Sequence, residues 1–216
     1  MRSTRIVFVI TLLVLLACAP GGLLSVSTPT PSPVPASATP SLTPIPPTAT
    51  ITPTPRPLAK RVLIVSFDGL RPDAIAAAPM PNLLELMKTS AYTLTAQTIF
   101  PSVTLPAHTS MLSGLCPSKH SVLWNEYVPE NGYALGVDLF DVAHAAGLRT
   151  VMIVGKEKLR QIAEPASTDV FDYEKDGEVA ITKAAVKEIK QGFGVMFVHF
   201  PSGDFAGHEF GWMSKK

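Results

Sequence analysis

The chain has 216 residues, of which 18 are Lys or Arg and 17 are Asp or Glu, so its formal net charge is +1. This balance excludes the strongly basic surface on which non-specific nucleic-acid binding depends. Hydrophobic residues make up 46% of the chain, which is enough for a folded core, but they are unevenly spread along the sequence.

The N-terminus has the pattern of an export signal. Two arginines in residues 1–5 precede the apolar run 6–17, which ends in Ala17-Cys18. As a helix this run measures about 18 Å, well short of the roughly 30 Å hydrocarbon core of a bilayer. A small residue directly before Cys18 resembles the lipobox of bacterial lipoproteins, which predicts that residues 1–18 are a signal peptide with a lipobox-like end and that Cys18 carries lipid. Simple cleavage with secretion and an uncleaved anchor are the alternatives.

Residues 19–59 are predicted to be a disordered linker rich in Pro, Thr and Ser. Eleven of the 21 prolines lie between residues 25 and 57. Such a composition buries no core and favours an extended, polyproline-type tether. The tether is expected to hold a folded domain, residues 60–216, away from a membrane or envelope.

The rest of the chain alternates predicted strands and helices. Strands are expected at residues 61–67, 149–154 and 194–200, with another extended segment at 91–100. Helices are expected at residues 82–89, 106–115, 135–146 and 178–191. This alternation predicts an α/β fold with a mainly parallel sheet. The first strand is an unbroken apolar run, which is typical of a strand buried on both faces.

Two acidic side chains follow predicted strands. Asp68 comes directly after the first strand, and Asp204 comes shortly after the last one. Because ligands bind beyond the carboxyl ends of parallel strands, both acids are expected at the same edge of the sheet. Asp204 and His208 are four residues apart among glycines, a spacing that aims a carboxylate and an imidazole at one zinc ion. A helix-capping Asp with a surface His is the alternative interpretation.

Thr104 lies just before a helix that is expected to begin near Pro106. Free backbone N–H groups and the helix dipole at such a position favour an anion such as phosphate. Lys156 and Lys158 follow the second strand and are expected in a solvated loop, whereas Cys116 is expected to be a small buried residue.

Four motifs together resemble the nucleotide pyrophosphatase/phosphodiesterase branch of the alkaline phosphatase superfamily. In chain order they read VLIVSFDGLRPD, FPSVTLPAHTSMLSG, HSVLWN and GDFAGHEFG, and they cover roughly residues 61–212. The resemblance implies an alkaline phosphatase-like fold, with a mainly parallel sheet flanked by helices on both faces. It also implies that residues 60–216 are the N-terminal part of the catalytic domain, incomplete at its C-terminal end.

The same resemblance assigns roles to five residues. Asp68 and Thr104 would lie at one zinc ion, and Asp204 and His208 at a second. Thr104 would attack phosphorus to form a phosphothreonine intermediate, while Asn125 would donate a hydrogen bond to a phosphoryl oxygen. The implied activity is hydrolysis of phosphodiester or nucleotide pyrophosphate bonds in a small-molecule substrate, by an exported protein that contacts a membrane through lipid on Cys18.

Several alternatives remain open at this point. The same metal core would also serve a phosphomonoesterase or a phosphonate hydrolase, and a truncated, inactive envelope lipoprotein is a non-enzymatic alternative. The family completes its two zinc sites with a further Asp-His pair and a distant His, which have no counterpart here. The chain is therefore expected to be a piece of a longer protein, and by itself to bind zinc weakly and show little turnover.

Overall fold

The structure, a computed structural model, describes residues 59–215. The predicted signal peptide and almost all of the predicted linker lie outside these residues. Among the residues described, no helix combines the length and the apolar composition that crossing a membrane requires.

Four parallel strands form a sheet at the centre of the domain. They are β1 (Val62–Phe67), β2 (Thr150–Val154), β3 (Val170–Tyr173) and β4 (Val195–Phe200). Their order in the sheet is β1-β4-β2-β3, and each neighbouring pair is parallel. The three strands expected from the sequence are confirmed, β3 is an addition, and the segment 91–100 forms no strand.

Helices connect the strands and follow the last one. They are α1 (Pro72–Ala77), α2 (Pro81–Met87), α3 (Thr104–Ser113), α4 (Pro117–His120), α5 (Leu139–Ala145), α6 (Glu178–Gln191) and α7 (Ser202–Phe210). The start of α5 is later than expected because Asp138 and Asp141 form a capping box there. The start of α3 is earlier than expected, so Thr104 is the first residue of the helix and does not precede it.

The helices cover both faces of the sheet, which confirms the fold class expected from the sequence. On one face α6 packs against the inner strands, in a cluster formed by Val151, Ile153, Ile181, Ala185, Met196 and Val198. On the other face α3, α5 and the 3-10 helix Glu157–Gln161 complete a second cluster, which includes Leu105, Phe140, Met152, Leu159 and Phe197. The two clusters fix the inner strands, and with them the carboxyl edge of the sheet.

Two expectations about burial are wrong. Strand β1 was expected to be buried on both faces, yet Val62, Leu63, Val65 and Phe67 are 40–51% exposed. The reason is that β1 lies at the edge of the sheet and, in the part of the chain that is described, pairs with β4 alone. Cys116 was expected to be buried but is exposed, because it lies directly before the short surface helix α4.

Candidate functional site

The carboxyl ends of β1 and β4 bring two acidic side chains together. Asp68 follows β1 directly, and Asp204 lies in the first turn of α7, just after β4. Both carboxylates pair with the same side chain, Lys156, whose Nζ atom lies 2.7 Å from Asp68 Oδ2 and 2.6 Å from Asp204 Oδ2. The two acids therefore meet at one point on the sheet edge.

Two glycines allow this meeting. Gly69 has φ +75°, and a Cβ atom built there would lie 2.6 Å from the Cα atom of Asp204. A Cβ atom on Gly203 would lie 2.7 Å from the carbonyl oxygen of Asp68. Glycine has no side chain, so at both positions the loop after β1 can lie directly against the backbone of α7. This close contact brings the two carboxylates within reach of one ligand.

Thr104 projects its hydroxyl into the same cluster. The Oγ1 atom donates a hydrogen bond to Asp68 Oδ2 at 3.1 Å and accepts one from Lys156 Nζ at 3.2 Å. Behind it, His108 Nδ1 lies 2.7 Å from the carbonyl oxygen of Thr104, while His108 Nε2 lies 2.8 Å from the hydroxyl oxygen of Ser66 on β1. The start of α3 is thus fixed to β1, and the hydroxyl of Thr104 is held at the strand ends.

Asn125 also reaches the start of α3. Its Oδ1 atom accepts a hydrogen bond from the backbone N–H of Leu105 at 2.9 Å. Since Leu105 is engaged and Pro106 has no N–H, the first turn of α3 offers an anion fewer free N–H groups than the sequence suggested. The same bond orients the amide of Asn125, which lines the adjoining cavity.

His208 lies one helical turn after Asp204 on α7, at the rim of the site. The Nε2 atom is 3.5 Å from Asp204 Oδ1, and the side chain is 70% exposed. Its ring packs edge-on against Trp212, with 5.0 Å between the ring centroids. All five residues singled out from the sequence, Asp68, Thr104, Asn125, Asp204 and His208, therefore line one cavity.

Lys156 is the site residue that the sequence analysis placed wrongly. It was expected in a solvated loop, but it is only 7% exposed and lies at the centre of the acidic cluster. A signal was available, because Lys156 follows β2 and the carboxyl ends of β1, β2 and β4 all meet this edge of the sheet. Lys158 lines the same cavity, with its Nζ atom 3.6 Å from Glu126 Oε1.

His199, at the end of β4, supports Asp68 from the core side. It is fully buried, and its Nε2 atom lies 3.3 Å from Asp68 Oδ2. Burial by itself raises the pKa of the Asp68 carboxyl, but hydrogen bonds from His199 and Lys156 and the positive charge of Lys156 outweigh it. The pKa of Asp68 is therefore held well below its ordinary value, and the side chain is a carboxylate at neutral pH.

The cavity over this cluster has a volume of about 850 Å³. This size lies within the range of small-molecule sites in proteins. Its polar floor holds the acids, Thr104 and Lys156, and its walls include the aromatic side chains of Tyr127, Tyr173, Phe205 and Trp212. The nearby Trp124 is not among the residues that line this cavity, and it packs against the core cluster under α3.

The donor atoms of the cluster suit a cation. Within residues 59–215 no three His, Cys, Asp or Glu side chains converge closely enough to hold a metal ion. However, oxygen atoms of Asp68, Thr104 and Asp204 already surround one positive charge, the Lys156 ammonium, at 2.6–3.2 Å. Carboxylate and hydroxyl oxygens are ligands that divalent ions accept, so these residues fit a divalent cation in donor type and direction.

The structure is thus an α/β domain with an acidic cluster around Lys156 at the carboxyl edge of its parallel sheet. The family model described as type I phosphodiesterase/nucleotide pyrophosphatase matches residues 62–216. The chain therefore belongs to this family, and the resemblance drawn from its motifs is confirmed.

Two curated relatives show the extent of the sequence similarity. Bis(5'-adenosyl)-triphosphatase enpp4 of Xenopus laevis is 35% identical over 65 residues, which is 30% of this chain and 14% of the relative. Human ectonucleotide pyrophosphatase/phosphodiesterase family member 5 is 31% identical over 71 residues, which is 33% of this chain and 15% of the relative. These matches span about a seventh of the length of each relative.

Solved structures show the same fold. Murine ectonucleotide pyrophosphatase/phosphodiesterase 5 is 20% identical and superposes with a TM-score of 0.58, covering 71% of this chain and 46% of the murine chain. An inactive threonine-to-alanine variant of the murine protein, in complex with AMP, superposes with a TM-score of 0.59 at 19% identity, covering 73% and 47%. This chain thus spans a little under half the length of these structures.

Proposed function

We propose that the protein is a metal-dependent hydrolase of phosphodiester or nucleotide pyrophosphate bonds, with Thr104 as its nucleophile. The observation that carries the proposal is the Thr104 hydroxyl at the first residue of α3, 3.1 Å from Asp68, in a cavity that also contains Asp204 and His208. Family membership supports hydrolysis of this bond type. The inactive murine threonine-to-alanine variant in complex with AMP supports a threonine nucleophile and a nucleotide ligand.

In this proposal the residues of the chain bind and orient the reacting groups. Asp68 accepts the hydrogen bond of Thr104 and thereby orients the Thr104 hydroxyl oxygen towards the cavity. Thr104 Oγ1 gives up its proton to water as it forms a bond to phosphorus, and the bond between phosphorus and the leaving oxygen breaks, leaving a phosphothreonine and a leaving group that takes up a proton from water. Asn125 donates from Nδ2 to a phosphoryl oxygen. Water then cleaves the phosphothreonine and releases the phosphoryl product.

Zinc is the proposed cofactor, with Asp68 and Thr104 as ligands at one position and Asp204 and His208 at the other. When bound, it would supply the Lewis acidity that lowers the pKa of the threonine hydroxyl and stabilises charge on the leaving oxygen. The carboxylate form of Asp68 at neutral pH and the convergence of three oxygens on one positive charge support this assignment.

Thr104→Ala and Thr104→Ser variants test the proposal. The protein expressed from its complete genomic reading frame is loaded with zinc, and hydrolysis of bis-p-nitrophenyl phosphate is compared with that of p-nitrophenyl phosphate. We expect the diester to be the better substrate, Thr104→Ala to lose at least about a thousand-fold in kcat, and Thr104→Ser to retain measurable turnover. A Thr104→Ala rate equal to wild type contradicts the nucleophile assignment. A clear preference for the monoester selects the phosphomonoesterase alternative.

For the rest of the chain we propose an exported, lipid-anchored protein. Residues 1–18 form the signal peptide, with lipid on Cys18, and residues 19–59 form a tether to the catalytic region 60–216. The names of the relatives as ectonucleotide pyrophosphatases support an exported location. Metabolic labelling with an alkyne fatty acid tests the anchor: we expect labelled wild-type protein and an unlabelled Cys18→Ser variant, and equal labelling of the two contradicts lipidation at this residue.

A further inference from the structure

We propose that Lys156 competes with metal for the two proposed metal positions: in the metal-free chain its ammonium group pairs with Asp68 and Asp204, one ligand of each position, and it leaves them when metal binds. This inference rests on the proposed metal site. It assigns to Lys156 control over how easily the site is loaded.

The contacts of Lys156 are those of a coordinated cation. Its ammonium group has three N–H donors, and three oxygens accept from it, at 2.6 Å (Asp204 Oδ2), 2.7 Å (Asp68 Oδ2) and 3.2 Å (Thr104 Oγ1). The ring of Phe205 faces the same ammonium, with its centroid 5.1 Å from Nζ. Lys156 therefore satisfies every donor inside the site and has no need of solvent.

The three oxygens that hold the ammonium group come from three of the four proposed metal ligands. Zinc binds carboxylate oxygen at about 2.0–2.2 Å. A zinc ion on Asp204 Oδ2 would therefore lie within about 4.8 Å of Nζ, the sum of 2.6 Å and 2.2 Å. Two positive charges this close in a largely buried site repel one another, and zinc would need the same oxygen atoms that accept hydrogen bonds from the ammonium group, so the ion and Lys156 compete.

Charge and space both favour exchange. Lys156 brings one positive charge to the acidic cluster, whereas each divalent ion would bring two. The cavity of about 850 Å³ is lined by Lys156 itself, so the flexible stem has room to turn the ammonium away from the acids. The carboxylates can stay where Gly69 and Gly203 hold them while the lysine moves.

Zinc affinity of the protein expressed from its complete genomic reading frame tests the inference directly. Isothermal titration calorimetry with zinc compares wild type with Lys156→Met, which keeps the length of the side chain and removes its charge. Lys158→Met is the matched control, because Lys158 lines the same cavity but contacts Glu126 and not the acidic cluster. If the ammonium group pairs with the two acids in about nine of ten metal-free molecules, Lys156→Met binds zinc about tenfold tighter, and Lys158→Met matches wild type.

Thermal unfolding supplies a second readout that separates a competing cation from an ordinary structural ion pair. In EDTA we expect Lys156→Met to have a Tm about 5 °C below wild type, because two carboxylates lose their shared partner. Saturating zinc should raise the Tm of Lys156→Met by more than it raises that of wild type. Lys156→Met is therefore expected to strengthen zinc binding and to destabilise the metal-free protein.

The outcomes distinguish this inference from the metal site on which it rests. Tighter zinc binding by Lys156→Met together with a lower Tm in EDTA supports the inference. If wild type binds zinc and Lys156→Met binds it equally tightly or more weakly, the inference is overturned while the proposed metal site is supported. No zinc binding by either protein overturns the metal site and the inference together.

Discussion

Substitution of Gly69 by Ala tests how the fold brings Asp68 and Asp204 together. Gly69 lies in the loop after β1, has φ +75° and packs against the start of α7. The new Cβ atom would lie 2.6 Å from Asp204 Cα and 2.7 Å from Asp204 N. These are backbone atoms, so the loop and the start of α7 must separate. The separation moves Asp204 away from Asp68 and Lys156.

Two costs add up at this position. A left-handed backbone costs a residue with a Cβ atom roughly 1–2 kcal/mol, and forcing extra volume into packed structure costs about 1–3 kcal/mol more. Gly114 is the matched control, because it has φ +69° at the end of α3 but nothing lies within 4 Å of a Cβ atom there. Gly114→Ala therefore carries the first cost alone.

Urea unfolding of wild type and both variants in EDTA measures the two costs. We expect Gly69→Ala to lower the free energy of unfolding by about 2–5 kcal/mol and Gly114→Ala by about 1–2 kcal/mol. Zinc titration should show weaker binding for Gly69→Ala and unchanged binding for Gly114→Ala. Equal effects of the two variants in both assays refute the claim that contact between Gly69 and Asp204 sets the geometry of the site.

Three further predictions concern the domain that carries the site. Buried His120 accepts from the N–H of Val122 at Nδ1 and pairs through Nε2 with Ser110, and burial lowers its pKa. Below about pH 6.5 the unfolded chain thus binds a proton that the folded chain excludes, so the free energy of unfolding decreases as the pH is lowered, by up to about 1.4 kcal/mol per pH unit. Urea unfolding across about pH 5–7 should show that His120→Gln removes this contribution. An unchanged slope contradicts the prediction. Phe140 is fully buried in the core cluster beneath α3, so Phe140→Ala should lower the free energy of unfolding by about 3–5 kcal/mol in urea, and a loss below about 1 kcal/mol contradicts its packing role. Asp138→Ala removes the capping box of α5 and should lower the Tm by about 2–4 °C, whereas an unchanged Tm contradicts the cap.

Local sequence signals explain what could be predicted of the fold. The span of α6 was expected correctly because its amphipathic pattern ends at a glycine, Gly192, which has φ +92°. Strand β4 was expected because it is an unbroken apolar run. Strand β3 was not expected, because it has only four residues and one of them is Asp172.

The site was predictable in part, for a physical reason. Asp68 and Asp204 could be placed at one edge because each follows a strand in a parallel sheet. Lys156 also follows a strand at this edge, but its pairing with both acids could not be predicted, because they are 88 and 48 residues away and no spacing rule links them. The exposure of β1 was also missed, because an apolar run does not reveal which strands flank it in the sheet.

Trapping the phosphothreonine tests the role of Thr104 most directly. Zinc-loaded protein from the complete genomic reading frame is mixed with bis-p-nitrophenyl phosphate, quenched in acid within one turnover, digested and sequenced by tandem mass spectrometry. We expect a p-nitrophenyl phosphate adduct on Thr104, and no adduct in the Thr104→Ala variant. Turnover at full rate with no adduct on Thr104, or with the adduct on another residue, would contradict this role.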